Sequence, residues 1–221
     1  EQLLYEKHKI YLSNNKGESM FHFVQIVADI PVRIFYPTKF HDKNNIPKGS
    51  CIIACNHTSN LDAVILAIHT WEKKYYLAKK ELFKNKCFGG FLKLMGAVKI
   101  DRQGTDITAI KQCLKILKNG KKLVVYPEGT RTNNENMELG EIKQGVAMFA
   151  VKGKVPIVPM FISKKPRIFR KTHVFVGEPF TLEMFYGKKL DSEELEQASE
   201  YVAQKMNELR DKSLNSLTKK K

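Results

Sequence analysis

A histidine and an aspartate, His57 and Asp62, follow the apolar run CIIAC and stand at the start of the helical pattern AVILAI. This order predicts a strand-to-helix turn that carries His57, with Asp62 in the first turn of the helix. An imidazole with an ordinary pKa of about 6.5 accepts a proton on one ring nitrogen while the other donates to a carboxylate. Asp62 is the candidate carboxylate, because it can fix the tautomer and stabilise the imidazolium. The pair predicts general-base catalysis.

Two other interpretations of this segment remain open. Ser59 and Asp62 also form a capping-box pattern, in which both side chains only satisfy backbone amides at a helix start. Cys55 lies two residues before His57 on the same face of the strand, so a cysteine nucleophile activated by His57 is a second alternative. Small buried cysteines are nevertheless common in strands.

A second candidate cluster follows the strand pattern KKLVVY, where a proline and a glycine predict a tight loop over residues 127–131. The loop gathers an acid, a hydroxyl and a guanidinium, and this combination suits a polyol that bears a phosphate. Arg131 can clamp phosphate oxygens while Glu128 accepts hydrogen bonds from hydroxyls. Arg102, after the apolar piece GAV, could reach the same phosphate. The alternatives are a local ion pair between Glu128 and Arg131, and an ordinary surface charge at Arg102.

Alternating strand and helix patterns must position these residues. They predict an α/β fold with a central mixed, mostly parallel sheet flanked by helices. Functional groups in such sheets gather at the carboxyl ends of the strands. The predicted strands cover residues 50–56, 75–78, 97–100, 123–126, 156–161 and 173–176, and the predicted helices cover 62–71, 82–95, 105–118, 142–152 and 191–212.

The longest apolar stretch, residues 20–36, is too short and too often interrupted by polar residues to span a bilayer. It predicts a helix that Pro31 bends or ends. From the residues alone, a buried core helix and an interfacial membrane helix remain equally open. No basic segment followed by an apolar run and a small-residue cleavage site opens the chain, so export is not expected.

The chain is strongly basic, with 38 Lys and Arg against 23 Asp and Glu, a net charge of +15. Such an excess predicts affinity for a polyanion. Nucleic acid is not the expected partner, because no recognised binding motif or aromatic stacking platform accompanies the charge. The basic cluster of residues 164–171 is open to three interpretations: a solvated surface, an anionic-lipid contact, or a dock for an acidic carrier protein. The four scattered cysteines lack the spacing of a zinc site and fit a reducing cytosol, and no metal is expected.

Four segments together resemble the 1-acylglycerol-3-phosphate acyltransferase family, also known as the lysophosphatidic acid acyltransferases. They are NHTSNLD at 56–62, GAVKIDR at 96–102, YPEGTR at 126–131 and VPIVPM at 155–160, in the order and at the separations of the family. Lys143 and Gly145 also match residues that often precede the fourth segment. The resemblance implies a glycerolipid acyltransferase-like α/β domain over residues 38–221, after an N-terminal helical segment, residues 1–37, at the membrane interface.

The resemblance also implies a reaction and its partners. A fatty acyl group would pass from acyl-coenzyme A or acyl carrier protein to the 2-hydroxyl of lysophosphatidic acid, giving phosphatidic acid with no cofactor. The catalytic pair would be His57 and Asp62, and the substrate-binding residues would be Arg102, Glu128, Gly129, Thr130 and Arg131. Such a transfer needs donors to the oxyanion, and the backbone amides at the helix start near Ser59 are candidates.

The expected location is the cytoplasmic face of a bacterial membrane with an anionic surface, in a peripheral or monotopic arrangement. Two alternatives to this function are open. The enzyme could use another acceptor, such as glycerol 3-phosphate or another lysophospholipid. The chain could instead be a non-catalytic basic lipid-binding protein.

Overall fold

The computed structural model describes residues 16–101, 104, 106–132, 137–188 and 190–219. Its centre is a seven-stranded sheet with the strand order β1-β7-β6-β2-β5-β3-β4. All neighbours pair in parallel except β6 and β7, which are antiparallel. The predicted mixed, mostly parallel sheet is therefore confirmed. The strands are β1 Thr38–His41, β2 Cys51–Cys55, β3 Lys74–Lys79, β4 Ala97–Ile100, β5 Lys122–Val125, β6 Ile157–Ile162 and β7 Thr172–Val176.

Six α-helices accompany the sheet in the part of the chain that the structure describes. The N-terminal helix and the C-terminal helix are the longest of them. They are α1 Lys16–Phe35, α2 Leu61–Thr70, α3 Lys86–Leu94, α4 Ile107–Lys118, α5 Gly145–Gly153 and α6 Ser192–Thr218. The predicted helix over 82–95 is wrong in its first part, because Lys80–Phe83 forms a 3-10 turn and Asn85 caps α3.

Strand β2 is buried on both faces and separates two hydrophobic cores. Ile52 and Ala54 pack toward α4, α5 and α6, while Ile53 and Cys55 pack with Leu66 of α2 on the other face. Successive side chains of a strand point to opposite faces, so a continuous apolar run such as CIIAC fits a central strand covered on both sides. This burial fixes where β2 ends and where His57 begins the next turn.

The strands β2, β3, β4, β5 and β6 all run in the same direction, so their carboxyl ends lie along one edge of the sheet, which we call the carboxyl edge. Residues that follow these strands are brought together there. His57 follows β2, and Glu128 and Arg131 follow β5. The topology therefore places both candidate clusters at adjacent positions on this edge.

Helix α1 packs against α2 through one side only. Phe21 is buried, and the Gln25 side chain donates a hydrogen bond to the Ala67 carbonyl at 2.7 Å. Pro31 does not end the helix, which continues to Phe35. The opposite side carries a row of exposed apolar side chains at helical spacing: Met20, Phe23, Val27, Ile30 and Ile34. Across the described residues, no helix combines the length and the apolarity that a bilayer span needs.

Candidate active site

His57 and Asp62 form a hydrogen-bonded pair. The distance from His57 Nδ1 to Asp62 Oδ2 is 3.0 Å, and the Asp62 side chain is fully buried while the imidazole is 20% exposed. The contact makes Nδ1 the donor to an ionised carboxylate and leaves the lone pair on Nε2. Among the described residues, no group hydrogen-bonds to Nε2. The imidazole is therefore set to accept a proton from a molecule that approaches from outside.

Asp62 also holds the turn that carries His57. Its Oδ2 accepts hydrogen bonds from the backbone amides of Thr58 and Ser59, both at 2.7 Å, and its Oδ1 accepts one from the Thr58 hydroxyl at 3.0 Å. These donors stabilise the negative charge of a carboxylate that has no access to solvent. The capping and base-orienting interpretations of Asp62 are therefore compatible, since the same carboxylate does both.

Tyr126, which the sequence did not single out, stacks on the imidazole of His57. The ring centroids lie 4.1 Å apart and the planes differ by 20°. The phenol oxygen is buried and has no hydrogen-bond partner within the described chain. Burial raises the pKa of Tyr126 well above its usual value, so the phenol stays protonated. The aromatic face of Tyr126, rather than its hydroxyl, therefore contacts His57 and limits rotation of the imidazole ring.

We expect Tyr126→Phe to keep kcat within about twofold, because the stacked ring remains and an unpaired hydroxyl is removed. Tyr126→Leu should lower kcat about tenfold with little change in KM, since a stacked pair contributes ~1 kcal/mol to the orientation of the base. Steady-state kinetics on both variants checks this. Equal kcat values for the phenylalanine and leucine variants would contradict a positioning role for the ring.

Glu128 is buried and engaged within the protein. Its Oε1 accepts a hydrogen bond from the His57 backbone amide at 3.1 Å, and its Oε2 accepts from the Gly140 amide at 3.0 Å and from the Thr132 hydroxyl. A carboxylate oxygen can accept more than one hydrogen bond, so the expectation that Glu128 also accepts hydrogen bonds from substrate hydroxyls stays a prediction. Glu128 also ties the loop after β5 to the turn that carries His57. The Thr132 amide adds a bond to the His57 carbonyl at 2.8 Å.

Arg131 and Thr130 are at the surface of the turn beside this network, and Gly129 has a positive φ of 67°. A β-carbon at Gly129 would come within 3.1 Å of the Lys143 ammonium, so the turn passes directly under that side chain. Lys143 thus adds a cation beside this turn. No ion pair joins Glu128 to Arg131 among the described residues, which rejects the local ion-pair interpretation. Arg102 lies outside the described residues.

Cys55 is not a suitable nucleophile. Its thiol is fully buried, and burial together with the nearby carboxylates of Asp62 and Glu128 raises its pKa well above the usual value. A protonated, buried thiol neither attacks a substrate nor competes with a water-accessible imidazole. The cysteine alternative is therefore rejected.

Three of the backbone amides near Ser59, the candidate oxyanion donors, already donate hydrogen bonds within the protein. Those of Thr58 and Ser59 donate to Asp62, and the Leu61 amide donates to the Ser59 hydroxyl at 3.2 Å. These three amides are not available to an oxyanion, because the side chains of Asp62 and Ser59 use them, and the expectation stays a prediction for the Asn60 amide. The sequence could not show that competition, since it depends on the path of the turn.

The described chain also has an open cleft of about 450 Å³, lined by residues that include Lys43, Lys48 and Lys74. Lys74 begins β3, so the cleft lies at the edge opposite His57. None of the residues of the two clusters lines it.

The sequence and the fold of this chain are similar to those of known acyltransferases. An acyltransferase family model matches residues 37–163, more than half of the chain. The 1-acyl-sn-glycerol-3-phosphate acyltransferase of Bacillus subtilis is 33% identical over 200 residues, which cover 87% of this chain and 98% of that protein.

The chain belongs to the 1-acyl-sn-glycerol-3-phosphate acyltransferase family. This acyltransferase also resembles the Streptococcus pneumoniae protein of the same name, at 34% identity over 55% of this chain and 45% of that protein. The crystal structure of the 1-acyl-sn-glycerophosphate acyltransferase from Thermotoga maritima matches it with a TM-score of 0.65 and 22% identity. The alignment covers 95% of this acyltransferase and 87% of that chain, which shows a shared fold.

Proposed function

We propose that this acyltransferase moves a fatty acyl group from a thioester to the sn-2 hydroxyl of 1-acyl-sn-glycerol 3-phosphate, giving phosphatidic acid. The observation that carries the proposal is the His57 imidazole. Its Nδ1 is fixed by a buried carboxylate, and its Nε2 has no hydrogen-bond partner within the described chain, beside a turn that bears Arg131. The names of the relatives from Bacillus subtilis and Streptococcus pneumoniae, both 1-acyl-sn-glycerol-3-phosphate acyltransferases, support the same acceptor.

The proposed reaction is a direct transfer. His57 Nε2 takes the proton of the 2-hydroxyl as that oxygen attacks the thioester carbonyl. The new carbon–oxygen bond forms, the carbon–sulfur bond breaks, and the thiolate leaves and recovers the proton from the imidazolium. A thiolate is a good leaving group, with a thiol pKa of about 8.5, so neither a strong acid nor an acyl-enzyme is required. Asp62 stabilises the positive charge on His57 in the transition state. No cofactor takes part.

The phosphate of the acceptor is proposed to bind Arg131 and Arg102, with Gly129 and Thr130 shaping the glycerol site. Arg131 is at the surface of the carboxyl edge, and the Lys143 ammonium lies beside the same turn. Arg131 on the turn and Lys143 beside it provide the charge that a phosphate monoester needs. Glu128 contributes indirectly, because it joins this turn to the backbone of His57.

We expect Arg131→Ala to raise the KM for lysophosphatidic acid about 10- to 100-fold with a smaller change in kcat, because one charge-assisted contact to the phosphate is lost. Arg131→Lys should recover part of the affinity, since the charge returns without the bidentate geometry. Steady-state kinetics at several acceptor concentrations provides the measurement. Monoacylglycerol, which lacks the phosphate, is the control acceptor. An equal loss with monoacylglycerol would contradict a phosphate contact.

The proposed location is the cytoplasmic face of an anionic membrane. The exposed apolar row of α1 supports this, because an amphipathic helix with one apolar side binds at a bilayer interface. The large positive net charge favours anionic lipid. Acyl-coenzyme A and acyl carrier protein are both proposed donors. The boundary between the segment 1–37 and the domain 38–221 stays a prediction.

The purified protein should be assayed with each donor against lysophosphatidic acid, lysophosphatidylcholine and glycerol 3-phosphate. The proposal expects lysophosphatidic acid to give the highest kcat/KM with at least one donor. A preference for glycerol 3-phosphate or lysophosphatidylcholine would replace the acceptor while keeping the chemistry. No transfer to any acceptor would favour a non-catalytic lipid-binding protein.

A further inference from the structure

The loop between β6 and β7, residues 164–171, combines charge with exposed apolar side chains. Its sequence KKPRIFRK contains five cations and no acid. Ile168 and Phe169 at its tip are 55% and 66% exposed. Within the described chain, none of the five cations forms an ion pair with a carboxylate. The loop therefore presents two apolar side chains flanked along the chain by five exposed cations: Lys164, Lys165, Arg167, Arg170 and Lys171.

The backbone holds Phe169 outward at a conformational cost. Phe169 has a φ of 56°, in the left-handed region that bulky residues rarely adopt. The turn is closed by a hydrogen bond that the Arg170 backbone amide donates to the Arg167 carbonyl. Glycine would adopt this conformation without strain, so the fold itself does not require an aromatic ring at this position. An exposed phenylalanine at a strained position indicates a role outside the protein core.

The loop is joined to the end of α1. The Phe169 amide donates to the Phe35 carbonyl at 2.7 Å, and the two rings lie 5.5 Å apart. The apolar row of α1 therefore continues into the loop tip. Because the loop follows the carboxyl end of β6, which neighbours β2, it lies at the same edge of the sheet as His57.

We propose that the loop of residues 164–171 is a second membrane-binding element, in which Ile168 and Phe169 insert into an anionic leaflet while the five cations bind lipid phosphates. This inference rests on the proposed function, since a membrane-borne acceptor gives the contact its purpose. Together with the apolar row of α1, the loop tip forms one extended contact surface that reaches the carboxyl edge. Such a surface fixes the orientation of the carboxyl edge toward the bilayer, which the helix cannot do alone.

A bilayer is a better occupant than an acyl carrier protein. An acidic carrier would neutralise the cations, but its charge would offer nothing to the strained apolar tip. An anionic leaflet offers both negative phosphates and an apolar interior a few ångströms below them. Only the membrane matches both features of the loop.

The proposal is tested by two measurements that use no substrate. Their outcome is therefore independent of which acceptor the enzyme uses. In phosphatidylglycerol vesicles, lipids with brominated acyl chains should quench the tryptophan fluorescence of the Phe169→Trp variant. The quenching should exceed that of the unmodified protein, which has one tryptophan. Ile168→Ser/Phe169→Ser should lower the partition into the same vesicles roughly tenfold. Met184→Ser is the matched control, because Met184 is 58% exposed beyond the carboxyl end of β7, at the opposite edge.

The proposal predicts quenching of the new tryptophan and a partition loss in the double serine variant that the Met184 variant does not show. Circular dichroism establishes that each variant is folded. Absence of additional quenching, or equal partition of the double variant and the control, would overturn the proposal. The proposal would also be overturned if the double serine variant lost binding to acyl carrier protein while its partition into vesicles stayed unchanged. The loop would then be a docking site for the carrier protein.

Discussion

His57→Ala is expected to lower kcat for acyl transfer on the order of 10³-fold, because general-base catalysis by a positioned side chain contributes about 10²- to 10⁴-fold. The variant loses the imidazole that Asp62 orients at the carboxyl edge. The KM for lysophosphatidic acid should change little, since the phosphate contacts are proposed to come from the arginines. Initial rates of phosphatidic acid formation over a range of acceptor concentrations give both constants.

Cys55→Ala is the matched control for His57→Ala, because it removes the neighbouring alternative nucleophile. Its thiol is buried, with its pKa raised by desolvation, so its removal should leave kcat within a fewfold of the unmodified enzyme. A loss in the cysteine variant as large as that in the histidine variant would contradict the assignment. Near-normal kcat in His57→Ala would contradict it directly.

Asp62→Asn is expected to lower kcat on the order of 10²- to 10⁴-fold. The amide carries no charge to stabilise the imidazolium. Its nitrogen also cannot accept the bonds that the Thr58 and Ser59 amides donate to the carboxylate. The turn should weaken as well, so the free energy of unfolding must be measured with kcat. A large fall in kcat at a temperature where the variant stays folded is the expected result.

Thr58→Val separates the two contributions of Asp62. This substitution removes the hydrogen bond that the Thr58 hydroxyl donates to Asp62 Oδ1. It leaves the hydrogen bond between Asp62 Oδ2 and His57 Nδ1. We expect kcat to fall less than about tenfold, because only one neutral donor is lost. If Thr58→Val and Asp62→Asn reduced kcat equally, packing of the turn rather than orientation of the base would explain the effect of Asp62.

The central strands were predictable because each is an apolar run buried on both faces. The prediction for 50–56 matches β2 closely, since CIIAC has no exposed face. Strand β1, Thr38–His41, was missed, because it is a four-residue edge strand with no buried residue and its pairing with β7 depends on a distant segment. Helix α6 extends to Thr218, beyond the predicted end at 212, since its last turns have few apolar residues to mark them.

The pairing of His57 with Asp62 was predictable, because five residues across a strand-to-helix turn bring two side chains together. The buried position of Glu128 was not, since its partners His57, Thr132 and Gly140 converge only in the folded loop. Tyr126 was overlooked because an aromatic residue at the end of a strand pattern is typical of a core. Its stacking on His57 depends on the adjacent positions of β2 and β5 in the sheet.

The most direct test of the proposed reaction is the position of the transferred acyl group. The purified enzyme is incubated with 1-acyl-sn-glycerol 3-phosphate in vesicles and with an isotopically labelled acyl thioester of coenzyme A or acyl carrier protein, and the product is cleaved by a lipase specific for one glycerol position. We predict phosphatidic acid with the label at sn-2 and an equal amount of free thiol. Labelled free fatty acid at a rate independent of the acceptor, or label in a product other than phosphatidic acid, would contradict direct transfer to the 2-hydroxyl.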